Sequence, residues 1–306
     1  MARKKKLNKR LVILLSAFGV VLLAGMMALA LDLWPKDPET HAAKYRAEYE
    51  QAQAAIERGD YEAALTHLKE ADREVRAAIR AGEDNPEYPY DGARIHKTWA
   101  LEVPTLSEVD RRGHIGEYRR MLDLSLQRDP NYTPARTDLV ELLWNISMGQ
   151  NAEWESFIEE ADRLLEMVKE DATTHRRRGY AHARLAERHD SREHRQQATK
   201  DFQTATEIGP KEEANWRFRL QFLAKQRDAG RVDWTRVDRV FQEALRHIPD
   251  SPALRAIYGD FLGREAFALS IGEDVTEEQR EQAEELRSRA QEQYAEAVLD
   301  ADAAAA

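Results

Sequence analysis

Three histidines stand at spacings that would bring them onto one side of a helix. His175, His182 and His189 follow one another at seven-residue steps, and such steps return to the same helical face. Histidine side chains bind metals and carry protons near neutral pH. Seven residues span roughly 10 Å along a helix, whereas two ligands of one metal need a spacing of three or four residues. We interpret the three as packing residues, with pH sensing as the alternative, and expect no metal.

A run of three arginines at positions 176–178 is a second candidate for chemistry. Guanidinium groups suit anions because their fork of N–H donors matches a carboxylate. A charge run on a helix more often forms a solvated face, above all where Glu and Asp surround it. The run alone does not distinguish anion binding from a solvated face. The distinction depends on the helices that carry the three arginines.

Those elements are predicted by a spacing that recurs along the chain. In this spacing, a small residue is followed four positions later by a large apolar residue. A second small residue stands three positions after the large one, and Pro often stands five positions after the second small residue. The spacing puts the first three on one helical face, where small side chains let a neighbouring helix approach, and Pro ends the helix. Recurrence near 40 residues predicts a repeat architecture of helices. The copies are Ala64, Leu68, Ala71; Tyr118, Leu122, Ser125, Pro130; Ala198, Phe202, Ala205, Pro210; Val237, Phe241, Ala244, Pro249; and Ala290, Tyr294, Ala297.

Several segments that carry this spacing resemble the tetratricopeptide repeat (TPR) family. The segment Gly59 to Leu65 is similar to that family's turn and the start of its second helix, and Gly113 copies the turn before Leu122. Parts of the first-helix pattern are matched by Trp216 and Leu223, and by Tyr258, Gly259 and Leu262. The repeats are longer than the family's usual length. The resemblance covers most of residues 42–300 and implies stacked helix pairs that present a partner-binding surface.

We therefore expect an all-α chain, a right-handed α-solenoid of about six TPR-like helix pairs behind a single N-terminal transmembrane helix. The predicted pairs are 42–80, 92–130, 133–170, 172–210, 212–250 and 252–300. The remaining divisions are a basic leader at 1–10, the transmembrane helix at 11–31, a linker at 32–41 and a frayed tail at 301–306.

Local signals refine this outline at three places. The prolines between Gly82 and Asp91 predict an irregular loop, and Pro104 predicts a break in the following helix. Thr276 and Gln279 have the spacing of a helix-start motif in which each side chain bonds the other's backbone.

A candidate binding groove emerges when the first helices of the pairs are aligned on Trp216, Gly179 and Gly259. In the resembling family, basic residues on the concave face of these helices clamp the terminal carboxylate of a bound peptide. The alternative is that the arginines here are solvated. The predicted partner-binding residues are Trp144, Arg176, Tyr180, Arg184, Arg217, Gln221, Lys225 and Arg264.

The N-terminal segment carries a membrane signal. Six basic residues and no acidic ones precede a stretch, Leu11 to Leu31, that has 21 residues and no charge. A helix of this length reaches roughly 30 Å, the thickness of the hydrocarbon core, and the basic flank favours a cytoplasmic N-terminus. The sequence therefore predicts a single-pass membrane protein with its domain outside the cytoplasm, in the periplasm if the source is bacterial. The alternative is a signal peptide cleaved near Ala30, which would give a secreted protein.

Composition excludes several classes of function. The absence of cysteine excludes disulfides, a thiolate nucleophile and thiolate-bound metals. The residues after Leu31 have a net charge of −16, which argues against nucleic acid as a partner because phosphate backbones would be repelled. No phosphate-binding loop, zinc-protease helix, nucleophile elbow or dinucleotide fingerprint is found. We expect neither enzymatic activity nor a cofactor.

The favoured function is a membrane-anchored, extracytoplasmic scaffold that binds a protein or peptide on its concave face. An acidic peptide or a C-terminal carboxylate is the expected ligand. The second hypothesis is a secreted or anchored small-molecule-binding protein or enzyme that uses the arginine-lined groove. A deep closed cavity would favour the second hypothesis and an open groove the first. Self-association is a third hypothesis.

Overall fold

The computed structural model describes residues 37–150, 152–271 and 274–305, and within these residues the chain forms α-helices and no strand. The expected all-α fold is therefore confirmed. The twelve helices of the described residues are α1 (Pro38–Glu57), α2 (Tyr61–Ala81), α3 (Glu87–Glu102), α4 (Glu108–Arg128), α5 (Thr133–Gln150), α6 (Trp154–Met167), α7 (Ala172–His189), α8 (Arg192–Ile208), α9 (Glu213–Asp228), α10 (Trp234–His247), α11 (Pro252–Ser270) and α12 (Glu277–Ala305).

Neighbouring helices in the chain pack as pairs. Helices α1 and α2, α3 and α4, α7 and α8, and α11 and α12 have the most extensive contacts. Helices α5 and α6 meet through an ion pair between Arg136 and Glu160 and through the ring of Trp144 against Trp154 and Phe157. The first helices of successive pairs, meaning the helix of each pair that comes first in the chain, also touch. Helix α7 contacts α9, and α9 contacts α11. This arrangement is that of TPR-like repeats.

The chain divides into two compact units, one ending at Ala135 and one beginning at Arg136. The core of the first unit lies among α1, α2 and α3, where Leu68, Val75 and Ile95 are fully or almost fully buried. In the second unit one core runs through α9 to α12 around Phe241 and Phe261. The handedness expected for the solenoid stays a prediction.

The recurring small–large–small spacing marks buried helix faces. Its large members Leu68, Leu122, Phe202 and Phe241 are each at most 1% exposed, and the small members beside them are buried as well. The fifth copy differs, because Tyr294 is 40% exposed. Its hydroxyl donates a hydrogen bond to Asp260 instead of entering the core.

Glycines in first helices meet large residues in second helices. A Cβ added to Gly179 of α7 would lie 3.1 Å from the ring of Phe202 in α8, and one added to Gly259 of α11 would lie 3.0 Å from the ring of Tyr294 in α12. Both distances are shorter than ordinary carbon contacts. The missing side chain at these two positions therefore lets the paired helices approach.

Three expected boundaries are corrected. The predicted loop from Gly82 to Asp91 is shorter, because α3 begins at Glu87 and includes Pro89 in its first turn. Proline is tolerated there because the first N–H groups of a helix have no intrahelical partner. The predicted linker at 32–41 ends earlier, since α1 begins at Pro38 with Asp37 as its cap. The predicted frayed tail at 301–306 is helical to Ala305, in keeping with the high helix propensity of alanine.

Other helix ends agree with the sequence signals. Helix α3 ends at Glu102, before Pro104, and α8 and α10 end before Pro210 and Pro249. At the start of α12, the Thr276 N–H donates to Gln279 Oε1 at 2.9 Å and the Gln279 N–H donates to Thr276 Oγ1 at 3.2 Å. This reciprocal pair is the predicted helix-start motif.

The expected localisation as a single-pass membrane protein is corrected. Across the residues that the structure describes, no helix combines the length and the apolar character that a membrane span requires. The segment 11–31, on which the expectation and its alternative cleavage near Ala30 rested, lies outside the described residues, as does the leader 1–10.

Candidate functional site

A row of aromatic rings joins three successive first helices in the second unit. The ring centroids of Trp144 in α5 and Tyr180 in α7 lie 5.5 Å apart, and those of Tyr180 and Phe218 in α9 also lie 5.5 Å apart. Both pairs meet edge to face, the geometry that aromatic quadrupoles favour. We call the surface formed by these rings and their polar neighbours on α5, α7 and α9 the first-helix face. None of the three rings is fully buried.

The arginine run at 176–178 divides between this face and the core. The guanidinium of Arg177 lies 5.5 Å from the centre of the Trp144 ring and that of Arg176 lies 5.8 Å from the centre of Phe218, which are cation–π distances. Burial lowers the pKa of both arginines. Arg178 points away from this row and binds Asp201 through two hydrogen bonds.

Arg176 is held by its own chain. Its Nη1 donates to Asn215 Oδ1 at 2.7 Å, and Glu212 Oε2 lies 3.5 Å from the same nitrogen. The Asn215 amide in turn donates to the backbone carbonyls of Ala205 and Gly209. Arg176 therefore ties α7 to the start of α9.

A carboxylate of the chain itself binds two of the predicted basic residues. Glu187 Oε2 accepts a hydrogen bond from Arg184 at 2.8 Å, and its Oε1 accepts one from Lys225 at 2.8 Å. The Lys225 contact joins α7 to α9 across successive pairs. Glu187 thus occupies the position that sequence analysis expected a ligand carboxylate to take.

The other predicted basic residues also face acidic partners. Arg217 lies 3.6 Å from Glu213 on its own helix, and Arg264 of α11 lies 3.5 Å from Asp228 of α9. Exposed pairs of this kind contribute roughly 0–1 kcal/mol, so a competing anion can replace them at small cost. Gln221 is exposed on the same side of α9 as Arg217, four residues away.

The structure brings four predicted residues together around one shallow cavity. Tyr180, Arg184, Gln221 and Lys225 line it, with Phe218 and Glu187 between them, and its volume is about 50 Å³. Ligand sites for small molecules are typically about 300–1,000 Å³. This cavity is too small to enclose such a ligand, and Trp144, Arg176, Arg217 and Arg264 do not line it.

The three evenly spaced histidines have separate surroundings. His182 is buried and its Nδ1 lies 2.9 Å from Nδ1 of His194. His175 lies 3.5 Å from Asp201, and His189 is exposed at the end of α7. Burial and the charges of Arg178 and His194 lower the pKa of His182 to about 4 against the opposing charge of Asp201. Packing is thus the role of His182, and within the described residues no group of three or more ligands is placed to hold a metal.

Phe218 and Glu187 of this face are not among the residues predicted from the sequence. Phe218 directly follows the predicted residue Arg217 on α9, so extending the alignment of first helices by one position would have found it. Glu187 could not be found in this way, because many carboxylates have equivalent spacings and only the contact with Lys225 distinguishes it.

A second cavity, which lies in the first unit, was also not predicted from the sequence. Helices α1 and α3 line a space of about 280 Å³. The Tyr45 hydroxyl donates to Asp91 at 2.6 Å, and Arg94 lies over the ring of Tyr49 at 5.6 Å. Burial and the bond to Asp91 raise the pKa of Tyr45. The lining arginines are already paired with carboxylates, Arg46 with Glu87 and Arg94 with Asp91, so the cavity offers no unpaired positive charge to a ligand.

No family model matches the chain, and no curated protein matches it. Solved structures similar to it include three tetratricopeptide repeat proteins. A TPR protein from Parabacteroides merdae is 16% identical with a TM-score of 0.48, over 84% of this chain and 91% of that one. YrrB, a TPR protein with an unusual peptide-binding site, is 13% identical with a TM-score of 0.46, over 76% and 98%. A thermophilic TPR protein of Thermus thermophilus is 17% identical with a TM-score of 0.38, over 71% and 98%. At these identities and TM-scores the likeness concerns the helical fold alone.

Proposed function

We propose that the chain is a scaffold that binds a protein or peptide partner on the first-helix face. The observation that carries this proposal is the continuous row of Trp144, Tyr180 and Phe218 across three first helices. Rings with few rotatable bonds supply contact area at low entropic cost. An extended segment lying across the helices would touch all three rings and the polar side chains beside them.

The polar groups suggest that the partner carries a carboxylate. Arg184 and Lys225 already bind the carboxylate of Glu187, so their spacing suits a group of that shape. Lys225 is 63% exposed and Glu187 41%, and a surface pair of this kind is easily exchanged. An acidic side chain or C-terminal carboxylate of the partner would replace Glu187, with Arg217 and Gln221 next to it on α9.

A small-molecule site is the less supported function. The cavity at this face is about 50 Å³, whereas an enclosed ligand needs several times that volume. A surface of rings and exchangeable ion pairs favours many shallow contacts, which is how pre-ordered helices bind peptides.

The proposal is tested by selecting peptides with free C-termini from a random library on the full chain. Selected peptides are then titrated against the variant Arg217→Glu/Lys225→Glu by fluorescence anisotropy. We expect loss of binding by at least about tenfold, since hydrogen bonds to charged groups contribute about 1.5–3 kcal/mol. Binding of the wild-type chain should also weaken as salt rises.

The control is Arg239→Glu/Arg246→Glu on α10, two exposed arginines outside this face whose replacement changes net charge equally. Glu187→Gln should bind acidic peptides more tightly, because Arg184 and Lys225 lose their competing partner. If no selected peptide distinguishes Arg217→Glu/Lys225→Glu from the control, the first-helix face is not the binding surface.

A further inference from the structure

In the second unit, arginines from α8, from α10 and from the segment before α10 lie around one cavity. A cavity of about 170 Å³ lies between α8, the end of α9 and the start of α10. Four arginines line it, and no acidic residue does. Two arginines, Arg192 and Arg195, come from the first turn of α8, while Arg231 precedes α10 and Arg236 lies in its first turn. We call this space the four-arginine cavity.

Two of the four arginines are bound by one carboxylate. Asp190 Oδ1 accepts hydrogen bonds from Arg195 Nη1 at 2.7 Å and from Arg231 Nη2 at 3.0 Å. Asp190 ends α7 in the left-handed conformation, with φ of 47°. Its contacts bring guanidinium groups from two successive repeats side by side.

The other two arginines have no counter-charge among the described residues. The side chains of Arg192 and Arg236 make no hydrogen bond or ion pair with these residues, and both are exposed. Arg236 is also close enough to Arg219 to contribute to lowering that arginine's pKa, although burial is the larger cause. Positive charge therefore accumulates at this cavity in a chain that is strongly acidic after Leu31.

The surroundings strengthen the attraction for an anion. The first turns of α8 and α10 both contribute to the lining. The positive end of the α8 dipole adds to the arginine charges, whereas the Asp233 carboxylate caps the start of α10. Phe222 and Leu223 of α9 form an apolar floor, and low polarity strengthens charge interactions. Thr199 and Gln226 provide uncharged hydrogen-bonding groups in the same lining.

This combination suits a phosphate group better than a carboxylate. A phosphate monoester carries nearly two negative charges and three acceptor oxygens at neutral pH, so it can accept bonds from several guanidinium groups at once. A carboxylate has one charge and two oxygens, and Asp190 already supplies one at the edge of the cluster. We propose that the four-arginine cavity is a binding site for a phosphate group, either of a small phosphate ester or of a phosphorylated residue on a partner.

This site is separate from the first-helix face and is tested separately. The full chain is titrated calorimetrically with inorganic phosphate at constant ionic strength, and compared with Arg192→Gln/Arg236→Gln. We expect this variant to weaken phosphate binding by at least about tenfold, because two charge-assisted bonds are lost. The substituted side chains are exposed, so circular dichroism should show unchanged helicity.

The matched control is Arg239→Gln/Arg246→Gln, which removes the same charge from the same unit outside the cavity. It should leave phosphate affinity within about twofold of the wild type, because exposed distant charges are largely screened. Asp190→Asn should bind phosphate more tightly, since it removes the competing carboxylate. Equal weakening by both double variants, or no heat beyond that of acetate, would overturn the proposal.

A phosphoserine peptide and its unphosphorylated form distinguish the two sources. Binding of the phosphopeptide at least about tenfold tighter than inorganic phosphate would identify a phosphorylated partner, since the peptide then adds contacts of its own. Equal affinity for the phosphopeptide and for inorganic phosphate would identify a small phosphate ester. In either case the affinity must fall in Arg192→Gln/Arg236→Gln, and a phosphopeptide that binds this variant undiminished contradicts the site.

Discussion

The Nδ1 atoms of His182 and His194 lie 2.9 Å apart, in a pair that joins α7 to α8. At this distance one nitrogen donates and the other accepts, so the contact needs at least one neutral ring. The first unit contains a similar pair, in which Nδ1 of His96 lies 3.0 Å from Nδ1 of His114. Each pair adjoins a carboxylate bound to an arginine, Asp201 in the second unit and Asp72 in the first.

The burial of His182 in this pair predicts that the fold loses stability in acid. Burial lowers the pKa of His182 to about 4, whereas the unfolded chain takes up a proton near pH 6.5. The unfolded state therefore binds more protons between these values, and the free energy of unfolding falls as pH falls through this window. Between pH 7 and pH 5, protonation of this residue in the unfolded chain should lower the free energy of unfolding by about 2 kcal/mol.

Urea unfolding of wild type and His182→Gln at both pH values measures this contribution. The loss of stability on acidification should be smaller in His182→Gln by about that amount, while exposed His189→Gln should behave as the wild type does. An identical pH dependence in all three chains would contradict the assignment.

The glycine contacts predict opposite outcomes for two substitutions. Gly179→Ala should destabilise by about 1–3 kcal/mol, because its Cβ would lie 3.1 Å from the buried ring of Phe202. Gly263→Ala, on a helix where a Cβ meets nothing within 4 Å, should stabilise by about 0.5–1 kcal/mol. Thermal unfolding of both variants decides the point, and a stabilising Gly179→Ala would show that α7 and α8 are not in close contact there.

The large member of the repeat spacing should matter only where it is buried. Phe202→Ala and Phe241→Ala should each cost about 3–5 kcal/mol because they leave cavities between packed helices. Tyr294→Ala, at the same position of the pattern but 40% exposed, should cost clearly less. Denaturant unfolding gives all three values, and equal losses would contradict the different burial of these positions.

The ion pair between Asp201 and Arg178 should be essential to the second unit. Asp201 is fully buried and accepts from Arg178 at 2.5 and 3.0 Å. Although burial raises the pKa of Asp201, its bonds from His175 and Arg178 outweigh this effect and lower the pKa below its usual value. Asp201→Asn should cost about 3–5 kcal/mol, because it removes the charge that balances buried Arg178.

Asp162→Asn is the matched control for this pair. Asp162 binds the same arginine at 2.5 Å but its side chain is half exposed, so its loss should cost about 1 kcal/mol or less. Chemical denaturation at pH 7 compares the two variants, and the expectation fails if Asp162→Asn is the more damaging one.

Much of the fold could be predicted from sequence because helical packing repeats. The spacing around Phe202 and Phe241 identified faces that are buried, since one small–large–small arrangement solves the same packing problem in each pair. Thr276 and Gln279 were recognisable because a helix start depends only on neighbouring residues. The start of α3 was missed because Pro89 was treated as a helix breaker, although its place in the first turn removes that effect.

The candidate sites depended on tertiary structure. The sequence alone determined that the chain is all-α, that its residues after Leu31 are acidic, and that aromatic and basic residues recur at repeat spacing. It could not determine that Glu187 binds Lys225 or that Asp190 binds Arg195 and Arg231. Nor could it determine that the side chains of Arg192 and Arg236 lack partners in the part of the chain that the structure describes. The physical reason is that charged side chains are long and abundant here, so their pairing is set by distances between helices far apart in sequence. Only the packed repeats fix those distances.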